Sequence, residues 1–388
     1  VVALVASIPL LIPFADFGLG ISVVNAAADA KALGNVSLLT ETLNKVRRLL
    51  AVIAACIVLL SVVLGSTGAW DALLGAKQAQ VFSDLSLAAS LVLAIFGTTL
   101  LFSQGTRVLQ GVGRVGTATL VNGSVQFLSL IGAICVHVLG QSALLYALLI
   151  PLSSLVANVI GWCLALGVLR RMAQTPGEAV ASAPVRYRVL LGWGLSGMII
   201  AAAVAMTTQG GRVVLGHASS ALAVAQFSLV WTVFGGVNSL IAVYGQFLWP
   251  RFRTLKVRGV LQRSDLDREM LRAGVLGTIL AVLFLLGAPT AISLMSGSSV
   301  PWPVIIAGAL LLLLLTLHQP ATMLLMDLSG SRTQALLIVP FAAINLLLVV
   351  FFADTLGAAA PFLATAGVVL ALQGPATFFI ARRSIRSY

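Results

Sequence analysis

"PLLIPFADFGLGISVV", residues 9–24, is an apolar run interrupted once, by Asp16-Phe17-Gly18-Leu19-Gly20, and then resumed. A carboxylate and two glycines inside so greasy a segment need a reason, and the rest of the chain decides which. Of the 388 residues 60% are hydrophobic and only 9% charged, and the mean hydropathy is +1.08. A water-soluble domain carries roughly 25% charged residues. Most of this chain is therefore dissolved in hydrocarbon, and a polytopic all-α membrane protein is expected.

Crossing ~30 Å of hydrocarbon takes about 20 helical residues. Runs near 1–25, 48–67, 83–103, 116–138, 142–169, 189–210, 221–247, 270–289, 302–326, 334–353 and 360–381 predict eleven spans. The connections are too short for a separate soluble domain. If the basic segment 26–47 is taken as a cytoplasmic loop, alternation puts all but Lys77 and Arg212 of the 23 Lys and Arg residues on that side. This positive-inside pattern predicts a multi-pass protein of the cell (inner or plasma) membrane, with residue 1 outside and the C-terminus in the cytoplasm. The net charge of +12 thus reads as juxtamembrane charge, not as a nucleic-acid surface. Cys56, Cys135 and Cys163 lie singly in apolar runs, so neither a disulfide nor a metal site is expected.

An internal repeat runs in the same register. "FADFGLGISV" and "WTVFGGVNSL" align Phe17-Gly18 with Phe234-Gly235, an offset of 217 residues that also carries Gly113 to Gly330 and Leu139-Gly140 to Leu356-Gly357. Two lobes follow: 1–171, a cytoplasmic linker 172–188, and 189–388. The repeat is parallel, about an axis along the membrane normal. Span 189–210 has its counterpart before residue 1, so a further N-terminal helix is expected upstream.

No H-E-x-x-H, P-loop or G-x-S-x-G pattern occurs, so no enzyme activity and no cofactor are expected. Polar residues within spans are then the informative ones. Asp16 reads either as a group that hydrogen-bonds a helix loosened by Gly18 and Gly20, or as a wall of a hydrated cavity. Arg212, in "TTQGGRVVLG", either snorkels to the interface or binds an anion, with Gln209 adding donors. His318 and Gln319 precede Pro320 in "LLLLLTLHQPATMLL"; a satisfied interhelical histidine stands beside a substrate contact. Arg107 and Arg114 either obey the positive-inside rule or line a vestibule. Gly18, Gly20 and Pro320 are the candidate hinges. Asn122, Gln126, Asn158, Asn238, Gln246 and Asn345 read first as interhelical glue.

Three stretches resemble the oligosaccharide (Wzx-type) flippases of the MATE-like multidrug/oligosaccharidyl-lipid/polysaccharide exporter superfamily. They are "DFGLG" at 16–20, "GRVVLGHASSALAVAQFSLVWTVFGGVNSLIAVYGQFLWPRFRTL" at 211–255, and "INLLLVVFFADTLGAAAPFLATA" at 344–366. Members often carry an acid just before the arginine matching Arg212; here Gly211 stands there. The resemblance implies two lobes opening alternately on a central cavity, and transport of a polyprenyl-diphosphate-linked oligosaccharide for cell-surface polysaccharide synthesis. Its implied partners are that lipid-linked oligosaccharide, membrane lipids, and a glycan polymerase or glycosyltransferases of the same pathway. A MATE-type drug or metabolite exporter is the alternative. A membrane-embedded glycan polymerase or ligase is a third reading, disfavoured by short outer loops.

Overall fold

The computed structural model describes residues 5, 16–74, 84–140, 143–174 and 186–385. Every regular element among them is helical. The first half holds α1 (Gly20–Leu33), α2 (Val36–Ser66), the short α3 (Ala69–Leu74), α4 (Leu85–Phe102), α5 (Gln104–Gly111), α6 (Val115–Val138) and α7 (Ala143–Gln174). The second holds α8 (Tyr187–Ala218), α9 (Ala221–Val257), α10 (Arg263–Ser296), α11 (Trp302–Leu324), α12 (Leu328–Leu356), α13 (Ala360–Val368) and α14 (Gly374–Ser384).

Among the described residues nine helical stretches are long and apolar enough to cross a membrane, the last running from 328 to 384. That last stretch contains two of the predicted spans, parted by a 3-10 turn at Gly357–Ala359. Most of the first predicted span, most of the linker 172–188, Lys77 and Arg386 lie outside the described residues. The chain is a multi-pass helical membrane protein.

One expectation is corrected. The basic segment 26–47 is not a loop but two helices. α1 runs to Leu33 and stops at Gly34, whose φ of 69° suits a glycine that ends a helix. Asn35 then caps α2, its Oδ1 accepting from Leu38 N at 3.3 Å and from Ser37 Oγ at 2.7 Å. The cations that suggested a loop are accommodated on the helix itself. Lys45 pairs with Glu41 at 2.6 Å and lies 5.5 Å above the Tyr187 ring, and Arg47 lies 4.9 Å above Trp162.

The chain divides into two compact units, Val1–Gly194 and Leu195–Tyr388. In the first, α4 and α5 pack against α2, α7 and α1 around Leu39, Leu43, Val108 and Leu109. In the second, α11 packs against α9, α10, α13 and α14. Its core holds Phe227, Phe234, Phe284 and Phe362, whose rings touch edge-on or tilted. The 217-residue offset recurs in a pair of helix starts, Leu85 with Trp302. It recurs again in the positive φ of Gly140 (61°) and Gly357 (52°). The Phe-Gly landmark is not symmetric in its backbone. Phe234-Gly235 lies inside α9, whereas Phe17-Gly18 lies in a turn before α1.

Between α13 and α14 the helix widens into a π-turn, Val369–Gln373. "QGPATFF" explains it. Pro375 has no N–H to bond the carbonyl four residues back. Gly374 N instead bonds Val369 O, five residues back, and a Cβ on Gly374 would stand 2.6 Å from that oxygen. Only glycine fits.

Candidate functional site

The break at residue 16 brings a carboxylate and a cation of the first unit toward one spot. Asp16 Oδ1 accepts from Gly18 N at 3.0 Å, and its carbonyl accepts from Leu19 N at 2.9 Å. This local bonding competes with helix formation. Its repeat mate in α9 is Val233, which has no such acceptor, and there the helix continues. Phe17 and Gly18 turn through left-handed φ of 46° and 66°. α1 then opens at Gly20, where a Cβ would lie 2.9 Å from Arg107 Nε and 3.4 Å from Asp16 Oδ2. The missing side chain is what lets the guanidinium of α5 and the carboxylate of the turn approach over one spot. Arg114, exposed at the start of α6, does not join them.

Asp16→Asn keeps the turn's acceptor and is expected to leave thermal stability within about 1 kcal/mol of the parent. Asp16→Ala removes the acceptor and should cost about 0.5–2 kcal/mol. Unfolding in detergent micelles, followed by helicity, checks both; equal losses would show that the charge, not the turn bond, holds the break.

In the second unit Arg212 stands on α8 with its Cζ 6.0 Å above the Phe227 ring, beside the stacked Phe227, Trp231 and Phe234. Its Nε is buried and has no hydrogen-bond partner. No carboxylate forms an ion pair with it among the described residues. Gly211 allows α8 to close on α13, since a Cβ there would be 3.1 Å from Pro361. Gln209, three residues earlier, is exposed. An unpaired guanidinium donor costs about 1–3 kcal/mol when buried, and an anion is the partner that would recover it.

His318 and Gln319 lie toward the other end of this unit. The α8–α9 turn, Pro301 before α11 and Gly357 after α12 surround one open cavity of about 580 Å³, so the C-terminal part of α11 is remote from Arg212. His318 Nε2 and Gln319 Oε1 are both buried without partners. Gln319 packs on α9, where a Cβ on Gly245 would meet its Oε1 at 2.7 Å. α11 runs through Pro320 to Leu324, and Thr322 Oγ1 donates to Gln319 O at 2.9 Å. Asn345 does bridge helices, donating to Thr365 Oγ1 at 2.9 Å, while Asn158 bonds its own helix at Ser154 O, 2.8 Å.

Sequence reasoning missed the polar network at that end of the second unit, because its members read simply as inside-positive charge. Lys256 Nζ meets Asp327 Oδ2 at 2.6 Å with both side chains about a tenth exposed or less. Asp327 Oδ1 also caps α12 through Gly330 N, 2.7 Å. Glu269, buried at the start of α10, holds Arg251 and Arg272 and accepts from the Tyr244 hydroxyl at 3.2 Å. Part of the signal was there in the sequence: Glu269 is an acid set between Arg268 and Arg272.

The chain matches no protein-family model and no curated protein sequence. Solved structures match it over nearly its whole length. A MATE transporter in its straight conformation superposes with a TM-score of 0.79 at 15% identity, over 98% of this chain and 87% of that one. The bent conformation gives 0.77 at 18%, over 98% and 86%. A MOP superfamily transporter from Pyrococcus furiosus, described by the reversed polarity of its binding pocket, gives 0.76 at 15%, over 99% and 88%. The fold of this chain is that of the MATE-type transporters of the MOP superfamily.

Proposed function

We propose that the protein is a membrane transporter that flips a polyprenyl-diphosphate-linked oligosaccharide from the cytoplasmic to the outer leaflet by alternating access. One observation carries the choice of an anionic substrate: the guanidinium of Arg212, with a buried donor that no group among the described residues satisfies. A planar guanidinium bonds two oxygens of a diphosphate at once, which no single ammonium does. Movement of an anion out of a cell that is negative inside is favoured by ~2.3 kcal/mol per charge per 100 mV, so the membrane potential contributes to direction. On this reading the protein sits in the cell membrane with its C-terminus in the cytoplasm, and serves glycosyltransferases and a polymerase of a surface-polysaccharide pathway.

A drug or metabolite exporter is the second reading, favoured by a solved neighbour described as a multidrug resistance MATE family transporter, TM-score 0.77 at 15% identity. Purified protein in proteoliposomes separates the two. A fluorescent polyprenyl-diphosphate oligosaccharide should become accessible to an impermeant quencher at a protein-dependent rate, and a cationic dye should not accumulate. Dye uptake without lipid flipping would replace the flippase with the exporter.

A further inference from the structure

A cavity of about 360 Å³ lies in the second unit between α10, α11, the π-turn and α14. It has room for about a dozen groups of water or methylene size. Met270, Leu314, Leu317, Val369, Leu370 and Phe378 are among its walls. Among the described residues His318 is the one side chain on the lining that can donate a hydrogen bond from nitrogen, and its buried Nε2 has no partner there. Leu370, 61% exposed, stands at the rim, so the cavity opens on an apolar surface. Its walls belong to membrane-crossing stretches, so the medium at its mouth is hydrocarbon rather than water.

Beyond Phe378, which lines the cavity, α14 carries a charge. Arg382 lies 5.8 Å above the ring of Phe378 and is 47% exposed. Its pairing with Asp267 is long, 3.6 Å, and both partners are about half exposed. Such a pair is worth little and yields to a better anion. One helical turn separates Phe378 from Arg382, about 5.4 Å. Arg382 thus borders the aromatic wall made by Phe378, and His318 lines the same cavity from α11.

We infer that this cavity is a binding site for an anionic glycerophospholipid of the surrounding bilayer: its phosphate on Arg382, an ester carbonyl accepting from His318 Nε2–H, and its acyl chain beside the π-turn. A glycerophospholipid has a carbonyl between phosphate and tail. A polyprenyl diphosphate has none, because its phosphate is joined directly to an isoprenyl carbon. A cation beside Phe378 and a histidine donor on the lining suit the first, which has both a phosphate and a carbonyl. The inference is independent of the transported substrate and assigns His318 to a resident lipid. The π-turn gives the pocket its shape, because substitution of Gly374 would collide with Val369 O.

The test is lipid binding to delipidated protein in detergent, read by native mass spectrometry. The probes are diester phosphatidylglycerol, its diether analogue, diester phosphatidylcholine and undecaprenyl diphosphate. The expected result is tightest binding of the diester phosphatidylglycerol, with the diether form about tenfold weaker. His318→Leu should weaken the diester to the level of the diether and leave the diether unchanged. Arg382→Gln should remove the preference over phosphatidylcholine. Equal binding of diester and diether lipids by the unmodified protein would overturn the inference without reference to any variant's folding. So would an undecaprenyl diphosphate that outcompetes phosphatidylglycerol.

Discussion

Lys256→Met is expected to lower the unfolding free energy of the second unit by about 3–5 kcal/mol, the usual cost of leaving a buried carboxylate without its partner. Asp327 is 8% exposed and Lys256 is 9% exposed. The two carboxylate oxygens are divided between tasks, one on Lys256 Nζ at 2.6 Å and one on Gly330 N at 2.7 Å. Removing the lysine therefore strips half the compensation from a charge that water does not reach. The double replacement Lys256→Met with Asp327→Leu should recover most of the loss, retaining a deficit of about 1 kcal/mol for the missing α12 cap. If the double variant were as unstable as Lys256→Met, packing at this end, not charge, would be responsible. Guanidinium titration in mild detergent reads all three.

The same pair has a pH signature. Burial alone would push the Asp327 carboxyl up. The hydrogen bond and charge of Lys256, the Gly330 N–H and the charge of Arg253 together outweigh it and hold the group below its ordinary 3.8. A carboxyl depressed in the folded state contributes stability that is fully present above its unfolded value. The contribution fades as pH falls through the folded value. The parent protein should therefore keep this contribution down to about pH 4. In Lys256→Met the burial that remains works without the lysine, so acid destabilisation should start at higher pH.

How much of this was legible beforehand follows from the range of each interaction. Spans such as 116–138 and 302–326 could be read because hydrocarbon thickness dictates their length, and the helices Val115–Val138 and Trp302–Leu324 lie within two residues of them. The two-lobed parallel repeat was legible through the 217-residue offset, and the MATE-like fold through the resemblance carried by residues 16–20, 211–255 and 344–366. The segment 26–47 misled because charge was read as loop, although Gly34 and Asn35 are good stop and start signals for helices. Lys45 and Arg47 stay on α2 because Glu41, Tyr187 and Trp162 receive them, and two of those three are far away in sequence. The candidate site behaves similarly. Asp16 and Arg107 were each noticed, yet their approach over Gly20 depends on α5 packing against α1, which no local pattern encodes. The π-turn was within reach, since Gly374-Pro375 inside an apolar helix removes one donor and admits one close contact.

Arg212→Ala is expected to reduce handling of a diphosphate-linked substrate by roughly 10–150-fold in apparent affinity, the equivalent of a charge-assisted hydrogen bond of about 1.5–3 kcal/mol. The size of the effect follows from where the guanidinium sits. Its Nε is buried without a partner, its face lies on Phe227, and Gly211 occupies the position before it where an acid would have neutralised it. A side chain that only snorkelled would turn its donors to water, and Lys would replace it without loss. A guanidinium that binds a diphosphate should instead show partial loss with Lys, which keeps the charge but not the two-oxygen fork. The aromatic face sharpens this contrast, because a compact, strongly hydrated ammonium leaves water less readily than a guanidinium to lie on Phe227. Export of lipid-linked oligosaccharide, measured in cells at matched protein levels, should therefore fall in the order parent, Arg212→Lys, Arg212→Ala. Protein amount and monodispersity serve as the folding control. If Ala exports as the parent does, Arg212 is an interfacial anchor and the anionic-substrate reading loses the observation on which it rests.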